Sequence, residues 1–196
     1  MADNDSINPF PDIKVAVIIP CYRVADELPR VLRQVPAWVK LIICVDDCCP
    51  DQSGEIASSA LKDDSRLQVI RHEINQGVGA AMVTGYQAAL RLGADVMVKL
   101  DGDGQMDPAR IENLVGPIVA GHADYTKGNR FFRVESLQGM PLVRLAGNAG
   151  LSFFAKLSSG YWDLFDSNNG FIALHAEVGR MLPMEKIHRQ IGRAHV

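Results

Sequence analysis

Asp101-Gly102-Asp103-Gly104-Gln105 sets two carboxylates two residues apart, between glycines that let the backbone turn sharply. Such a group presents hard oxygen ligands to Mg²⁺ or Mn²⁺, and the Gln105 side chain adds an amide carbonyl. A solvated polar turn uses the same residue types. An EF-hand register also fits Asp101, Asp103, Gln105 and Glu112, but Met106 stands where that loop needs its sharp-turn Gly. The acids directly follow Val96–Leu100, which reads as a strand. A second acidic pair, Asp46-Asp47, ends the apolar run Leu41–Val45, and Pro20-Cys21-Tyr22 ends the run Lys14–Ile19. Three strand tips brought together make a rim for a nucleotide. Carboxylates there accept from base N–H groups or ribose hydroxyls, and Tyr22 offers an aromatic face to the base. Asn75-Gln76-Gly77-Val78-Gly79 precedes a helical pattern, so the Gly77 region can offer backbone N–H groups to a phosphate. Arg130, after Ala123–Lys127 and Gly128-Asn129, can pair with a diphosphate through a forked hydrogen bond.

The elements that must position these groups follow from periodicity. Lys14–Ile19 and Leu41–Val45 are short apolar runs of the kind buried on both faces of a parallel sheet. Asp26, Glu27 and Pro29 suit a first helical turn ahead of Val31, Leu32 and Val35. Asp51 or Ser53 can cap a helix through Leu61. Leu67–Arg71 reads as a strand, and Gly79–Leu92 as a helix with Met82, Tyr86, Ala89 and Leu90 on one face. Asp107 and Pro108 open a further helix whose Ile111, Leu114, Val115 and Ile118 share a face. Ala123–Lys127 returns to the sheet. Strands alternating with helices predict an α/β fold, a mostly parallel sheet with helices on both faces, which binds ligands at the carboxyl ends of its strands. Residues 1–12 read as a flexible N-terminal arm and 13–196 as a single domain. Past that core, Leu142, Leu145, Ala146, Ala149, Phe153 and Leu157 form an apolar helical stripe with Arg144 and Lys156 on its other side. Protein packing is the first reading of the stripe and a lipid-facing helix the second.

Composition removes several classes. The chain has 196 residues, 47% of them hydrophobic and 22% charged, which is enough apolar surface to repay chain ordering and excludes wholesale disorder. A formal net charge of −3 excludes a broad basic surface for nucleic acid. Met1–Ser6 carries two Asp and no apolar core, so it is no secretory signal, and the cytoplasm is the expected compartment. The longest uncharged stretch, Ile74–Leu90, includes Asn75, Gln76, Thr84 and Gln87 and is costly in lipid, so no span is expected. Cys21, Cys44, Cys48 and Cys49 lack a C-x-x-C pair and read as reduced structural thiols.

Taken as a set and in order, VIIPCYRVADEL, CVDDCCPD, NQGVGAAMVTGYQAAL, VKLDGDGQMDP, KGNRF and DSNNGF resemble glycosyltransferase family 2, of GT-A (Rossmann-like) fold. The nearest pattern is that of the polyprenyl-phosphate hexosyltransferases of the dolichyl-phosphate mannose synthase type. The resemblance covers Lys14 to Leu174. It implies that Pro20, Tyr22, Glu27, Asp47 and Asp101 contact the nucleotide, that Asp101, Asp103 and Gln105 hold the metal, and that Arg130 faces phosphate. It further implies an inverting, metal-dependent transfer of a hexose from a nucleotide diphosphate sugar to a polyprenyl phosphate, with peripheral contact at the cytoplasmic face of a membrane. Transfer to a saccharide hydroxyl, which requires a carboxylate base, and a non-catalytic nucleotide-sugar binder are the alternatives. Cys48-Cys49 departs from the Gly-Ser often found after the family's paired acids. The family also continues past its Asn-Gly-Phe turn, so the domain is expected to be incomplete at its C-terminus.

Overall fold

The structure is a computed structural model and describes residues 8–128 and 169–184. Strand β1 (Val15–Cys21) leads through helix α1 (Leu28–Gln34) to β2 (Leu41–Asp46), and α2 (Ser53–Ala60) leads on to β3 (Leu67–Arg71). Helix α3 (Val78–Arg91) then crosses to β4 (Val96–Lys99). A 3₁₀ turn, Pro108–Arg110, runs into α4 (Ile111–Val119), followed by β5 (Tyr125–Lys127), β6 (Ile172–His175) and α5 (Ala176–Met181). Asp107 caps the 3₁₀ turn as its sequence suggests, its Oδ1 accepting from Ala109 N at 3.0 Å.

The six described strands form one sheet in the order β3-β2-β1-β4-β6-β5. Strands β1 to β4 are parallel, and β6 alone runs antiparallel, between β4 and β5. The expectation of a mostly parallel sheet therefore holds. Phe171–Leu174, an apolar run with no assigned partner in the sequence, supplies most of the antiparallel strand.

Alternation along β1 divides the core in two. Val15, Val17, Ile19 and Cys21 pack with Leu28, Val31 and Leu32 of α1, Ala57 of α2 and the apolar face of α4. Ala16 and Ile18 face the opposite way, onto Ala81, Met82, Tyr86 and Ala89 of α3, with Val178 of α5 nearby. Helices thus cover both faces, and each fully buried Ile or Leu in these layers contributes about 1.5–3 kcal/mol. Gly85 lets α3 settle directly on Ile18, where any Cβ would overlap the isoleucine side chain. Within the stretch expected to be a loose arm, Phe10 packs edge-on against Trp38, ring centroids 5.4 Å apart.

The chain moves outward from β1 to β2 and β3, then returns to the other side of β1 for β4. A crevice forms at such a switch point, at the carboxyl ends of the two strands. Pro20 sits there. Its neighbour Cys21 gives its carbonyl to Asp47 N on the β2 side, whereas Ile18 O accepts from Leu100 N on the β4 side. Pro20 therefore turns its missing N–H toward β4, whose pairing with β1 has already ended at Ile18 and Lys99. The proline sits in a central strand because the ladder has parted at that point.

Candidate functional site at the strand tips

Two of the expected tips flank this crevice. Asp101 follows β4 with its side chain 31% exposed, and Lys99 Nζ donates to its Oδ1 at 2.5 Å. Asp103 is exposed, and its Oδ1 accepts from Gln105 N at 3.0 Å, a local turn that holds the exposed Gln105 beside it. The loop carrying them packs on the start of α1. A Cβ on Gly102 would meet Val24 Cγ2 at 3.1 Å, and Gly104, at φ +73°, lies over the Glu27–Arg30 ion pair. Glu27 Oε2 accepts from Arg30 Nη2 at 2.7 Å and from Nε at 3.0 Å. Across the crevice Tyr22 is 43% exposed, with the Arg23 guanidinium 5.4 Å from its ring centroid. That arrangement leaves a flat aromatic surface at the rim.

The second acidic pair is arranged differently. Asp46 and Asp47 are almost fully buried, at 1% and 3% exposure. Asp46 Oδ1 accepts from Cys49 N at 2.8 Å, and among the described residues its Oδ2 has no hydrogen-bond partner, with Arg71 Nε 3.7 Å away. Asp47 Oδ1 accepts from Gln76 N at 2.9 Å and meets His72 Nδ1 at 2.7 Å, while Oδ2 accepts from Gly77 N at 2.7 Å. The backbone amides that the sequence offers to a phosphate at Gly77 are thus already donated to a carboxylate of the chain itself, at the N-terminus of α3. His72 extends the network to α3, its Nε2 lying 2.9 Å from Thr84 Oγ1.

The Cys48-Cys49 turn works as a clamp. Three successive amides after Tyr22 are held from the β2 side: Arg23 N by Cys49 Sγ at 2.8 Å, Val24 N by Ser53 Oγ at 3.4 Å, and Ala25 N by Asp51 Oδ2 at 3.0 Å. Asp51 also accepts from the Cys49 thiol and the Ser53 hydroxyl. Burial raises the Asp51 pKa, but the hydrogen bonds from Cys49, Ser53 and Ala25 together outweigh it and bring it down to about 2. All four thiols are free. A hydrogen bond with Cys44, and then burial, push the Cys21 thiol well above its ordinary range, so it packs as a small apolar group.

Sequence reasoning missed three contributors. Lys99 is two residues before Asp101, and the period of a strand puts both on one side; that signal was present and unused. Asn169, 8% exposed, gives its amide N–H to Gly128 O at 2.8 Å and accepts from Phe171 N at 3.0 Å, which ties the end of β5 to the start of β6. Gly170 lies against the carboxylate, since a Cβ there would come 2.5 Å from Lys99 Nζ and 3.0 Å from Asp101 Oδ2. No local sequence pattern announces that contact. Arg130 and the stripe Leu142–Leu157 lie outside the described residues. A surface groove lined by Ser59, Leu61, Lys62, Asp64 and Arg66 lies at the amino end of β3, at the far end of the sheet from the carboxylates.

A divalent cation fits the donor chemistry of the β4 tip on one condition. Among the described residues no three His, Cys, Asp or Glu side chains gather closely enough to hold a metal ion. Asp101, Asp103 and the Gln105 carbonyl are hard oxygen donors, and Mg²⁺-like ions are commonly held by one or two carboxylates together with substrate phosphates. The site suits a cation that shares its ligands with a diphosphate.

Comparison with known proteins gives the chain a family. Residues 16–180 match the model of a family described as glycosyl transferase family 2. The chain is 31% identical over 184 residues to a UDP-N-acetylglucosamine–dolichyl-phosphate N-acetylglucosaminyltransferase of Methanococcus voltae, covering 87% of this chain and 73% of that one. It is likewise 31% identical over 180 residues to a polyprenol monophosphomannose synthase of Mycolicibacterium smegmatis, covering 90% of this chain and 67% of the relative. Among solved structures, glucosyl-3-phosphoglycerate synthase from Mycobacterium tuberculosis, in complex with Mn²⁺, UDP and glucosyl-3-phosphoglycerate, superposes with a TM-score of 0.61 at 17% identity. That match covers 86% of this chain and 59% of the other, and it establishes a shared GT-A-like fold.

Proposed function

The chain belongs to glycosyl transferase family 2, and on that premise we propose that it moves a hexose from a nucleotide diphosphate sugar to a polyprenyl phosphate, with inversion at the anomeric carbon. The observation that carries this reading is the pairing, across the crevice between β1 and β4, of an exposed aromatic face on Tyr22 with the carboxylates of Asp101 and Asp103. One side suits a base, the other the cation that accompanies a diphosphate. The names of the two curated relatives support a lipid-linked phosphate as acceptor.

In this reading Asp101, Asp103 and Gln105 hold Mg²⁺ or Mn²⁺. The bound cation supplies positive charge to the departing nucleoside diphosphate. Pro20, Tyr22 and Glu27 line the nucleotide side, and Asp46 and Asp47 shape it from beneath. Arg130 is the residue assigned to pair with phosphate. An oxygen of the acceptor phosphate attacks the anomeric carbon as the bond from that carbon to the diphosphate oxygen breaks, and one displacement inverts the centre. A phosphate monoester, with its second pKa of about 6, is already a nucleophile at neutral pH, so this acceptor needs no strong base from the chain. A sugar hydroxyl would need one.

The acceptor also places the protein at a membrane surface. Among the described residues no helix is long and apolar enough to cross one, so the contact proposed is peripheral.

The test is a panel of UDP- and GDP-sugars with and without Mn²⁺, followed by thermal unfolding. A donor at 100 times its Kd raises stability by about 2.7 kcal/mol. Single-turnover transfer from the stabilising donor to a short-chain polyprenyl phosphate then supports the acceptor. Transfer only to an oligosaccharide hydroxyl overturns it.

A further inference from the structure

Lys99 has no part in the reading above, yet it makes the closest charged contact in the site. Its side chain is 14% exposed, and its ammonium donates to Asp101 Oδ1. Gly170 closes over the pair, because any side chain there would run into Lys99 Nζ and Asp101 Oδ2. Met106 adds an apolar wall: its sulfur accepts from Asp101 N at 3.4 Å, and its methyl group would lie 3.4 Å from a Cβ on Gly170. A pair sheltered in this way is screened less than a surface ion pair.

We propose that Lys99 is a built-in counter-ion: it leaves the Asp101–Asp103 site with one negative charge instead of two, so that a divalent cation enters only together with the donor's diphosphate. The inference rests on the reading that this site takes a cation with a nucleotide diphosphate. Affinity for hard cations follows the charge and number of oxygen ligands. Among the described residues no third carboxylate, thiol or imidazole completes the set. Without nucleotide the cation must therefore compete with Lys99 for Asp101 using too few ligands. The diphosphate supplies both the missing oxygens and an alternative acceptor for the ammonium. Because such coupling is reciprocal, the cation tightens the nucleotide by the same factor as the nucleotide tightens the cation.

The experiment is an Mn²⁺ titration of the 196-residue chain, followed by the EPR signal of free Mn²⁺, alone and with saturating UDP or GDP. The wild-type chain should bind Mn²⁺ weakly alone and about tenfold or more tightly with one of the nucleotides. Lys99→Met should tighten Mn²⁺ alone by about tenfold and shrink the nucleotide's effect, whereas Lys99→Arg, which keeps the charge, should behave as wild type. Should Lys99→Met lose the fold, Lys99→Gln keeps a donor for Asp101 and removes only the charge, and it carries the same expectation. If the neutral variants bind Mn²⁺ alone no better than wild type, Lys99 merely orients Asp101 and the inference is overturned. If the wild-type chain binds Mn²⁺ with neither nucleotide, the cation reading fails first and takes the inference with it.

Discussion

Asp47 and His72 form a buried pair at the tips of adjacent strands, Oδ1 to Nδ1 at 2.7 Å, with side chains only 4% and 8% exposed. As acceptor, the carboxylate assigns the ring proton to Nδ1, which in the neutral ring leaves Nε2 to accept from the Thr84 hydroxyl. Both oxygens of Asp47 are also engaged by the amides of Gln76 and Gly77. One side chain thereby fixes the β2 tip, the loop after β3 and the start of α3.

Asp47→Ala should therefore lower stability by about 3 kcal/mol, because it removes the buried acceptor shared by two amides and an imidazole, even though Gly77 N keeps its bond to Asn75 Oδ1 at 3.2 Å. Asp47→Asn, which keeps one oxygen for the amides, should cost less. Urea denaturation of the three proteins at pH 7 measures the order, and equal midpoints would show that the network contributes nothing.

Asp103→Ala should behave in the opposite way. Its side chain is exposed and, among the described residues, bonds only within its own turn, so stability should change by no more than about 0.5 kcal/mol. Mn²⁺-dependent binding of a nucleoside diphosphate should disappear. Calorimetric titration of the folded variant decides the point, and unchanged metal-dependent affinity would remove Asp103 from the ligand set.

The clamp at Asp51 gives a pH dependence of definite sign. Its folded pKa of about 2 lies below the ordinary value of 3.8. The stability it contributes is thus complete above the ordinary value and is lost as pH falls from there through about 2. The difference in unfolding free energy between wild type and Asp51→Asn should be larger at pH 6 than at pH 2.5. A constant difference across that window would mean that the charge on Asp51 is not what holds the amide of Ala25.

Gly170→Ala tests the cover over Lys99. The first atom it would crowd is the far end of a flexible lysine, which can swing aside, so stability should fall by only about 1 kcal/mol. The displaced ammonium should leave Asp101 Oδ1, and Mn²⁺ affinity without nucleotide should move in the same direction as for Lys99→Met. A shift the other way would show that Gly170 serves Asp101 itself.

The parts of the fold legible in the sequence are those fixed by local pattern. The apolar runs at Lys14–Ile19 and Leu41–Val45 became the buried strands β1 and β2, and the spacing of Ile111, Leu114, Val115 and Ile118 gave the buried face of α4. Asp101 and Asp103 stand at a strand tip as their sequence position required. What stayed hidden depends on partners distant in sequence. β6 is four residues long and takes its direction from β4, more than 70 residues earlier. The amides that Asp47 accepts from lie 29 and 30 residues ahead of it, where no local pattern announces them. Cys49, an unremarkable thiol in the sequence, holds the amide of Arg23 from 26 residues away.

The insertion of β6 between β4 and β5 has a consequence for the order in which the molecule assembles. Among the described strands Tyr125–Lys127 pairs only with β6, the antiparallel neighbour of β4, so it has no described ladder partner until Ile172–His175 has been synthesised. The parallel half, β1 to β4 with Tyr22, Asp47 and Asp101 at its tips, has all its parallel pairings available by residue 99, and only the outer side of β4 waits for β6. Closing a long loop is slow compared with joining neighbours. The nucleotide half is then a nucleus available early to the growing chain, and the edge that brings Gly170 over Lys99 is a late addition to it.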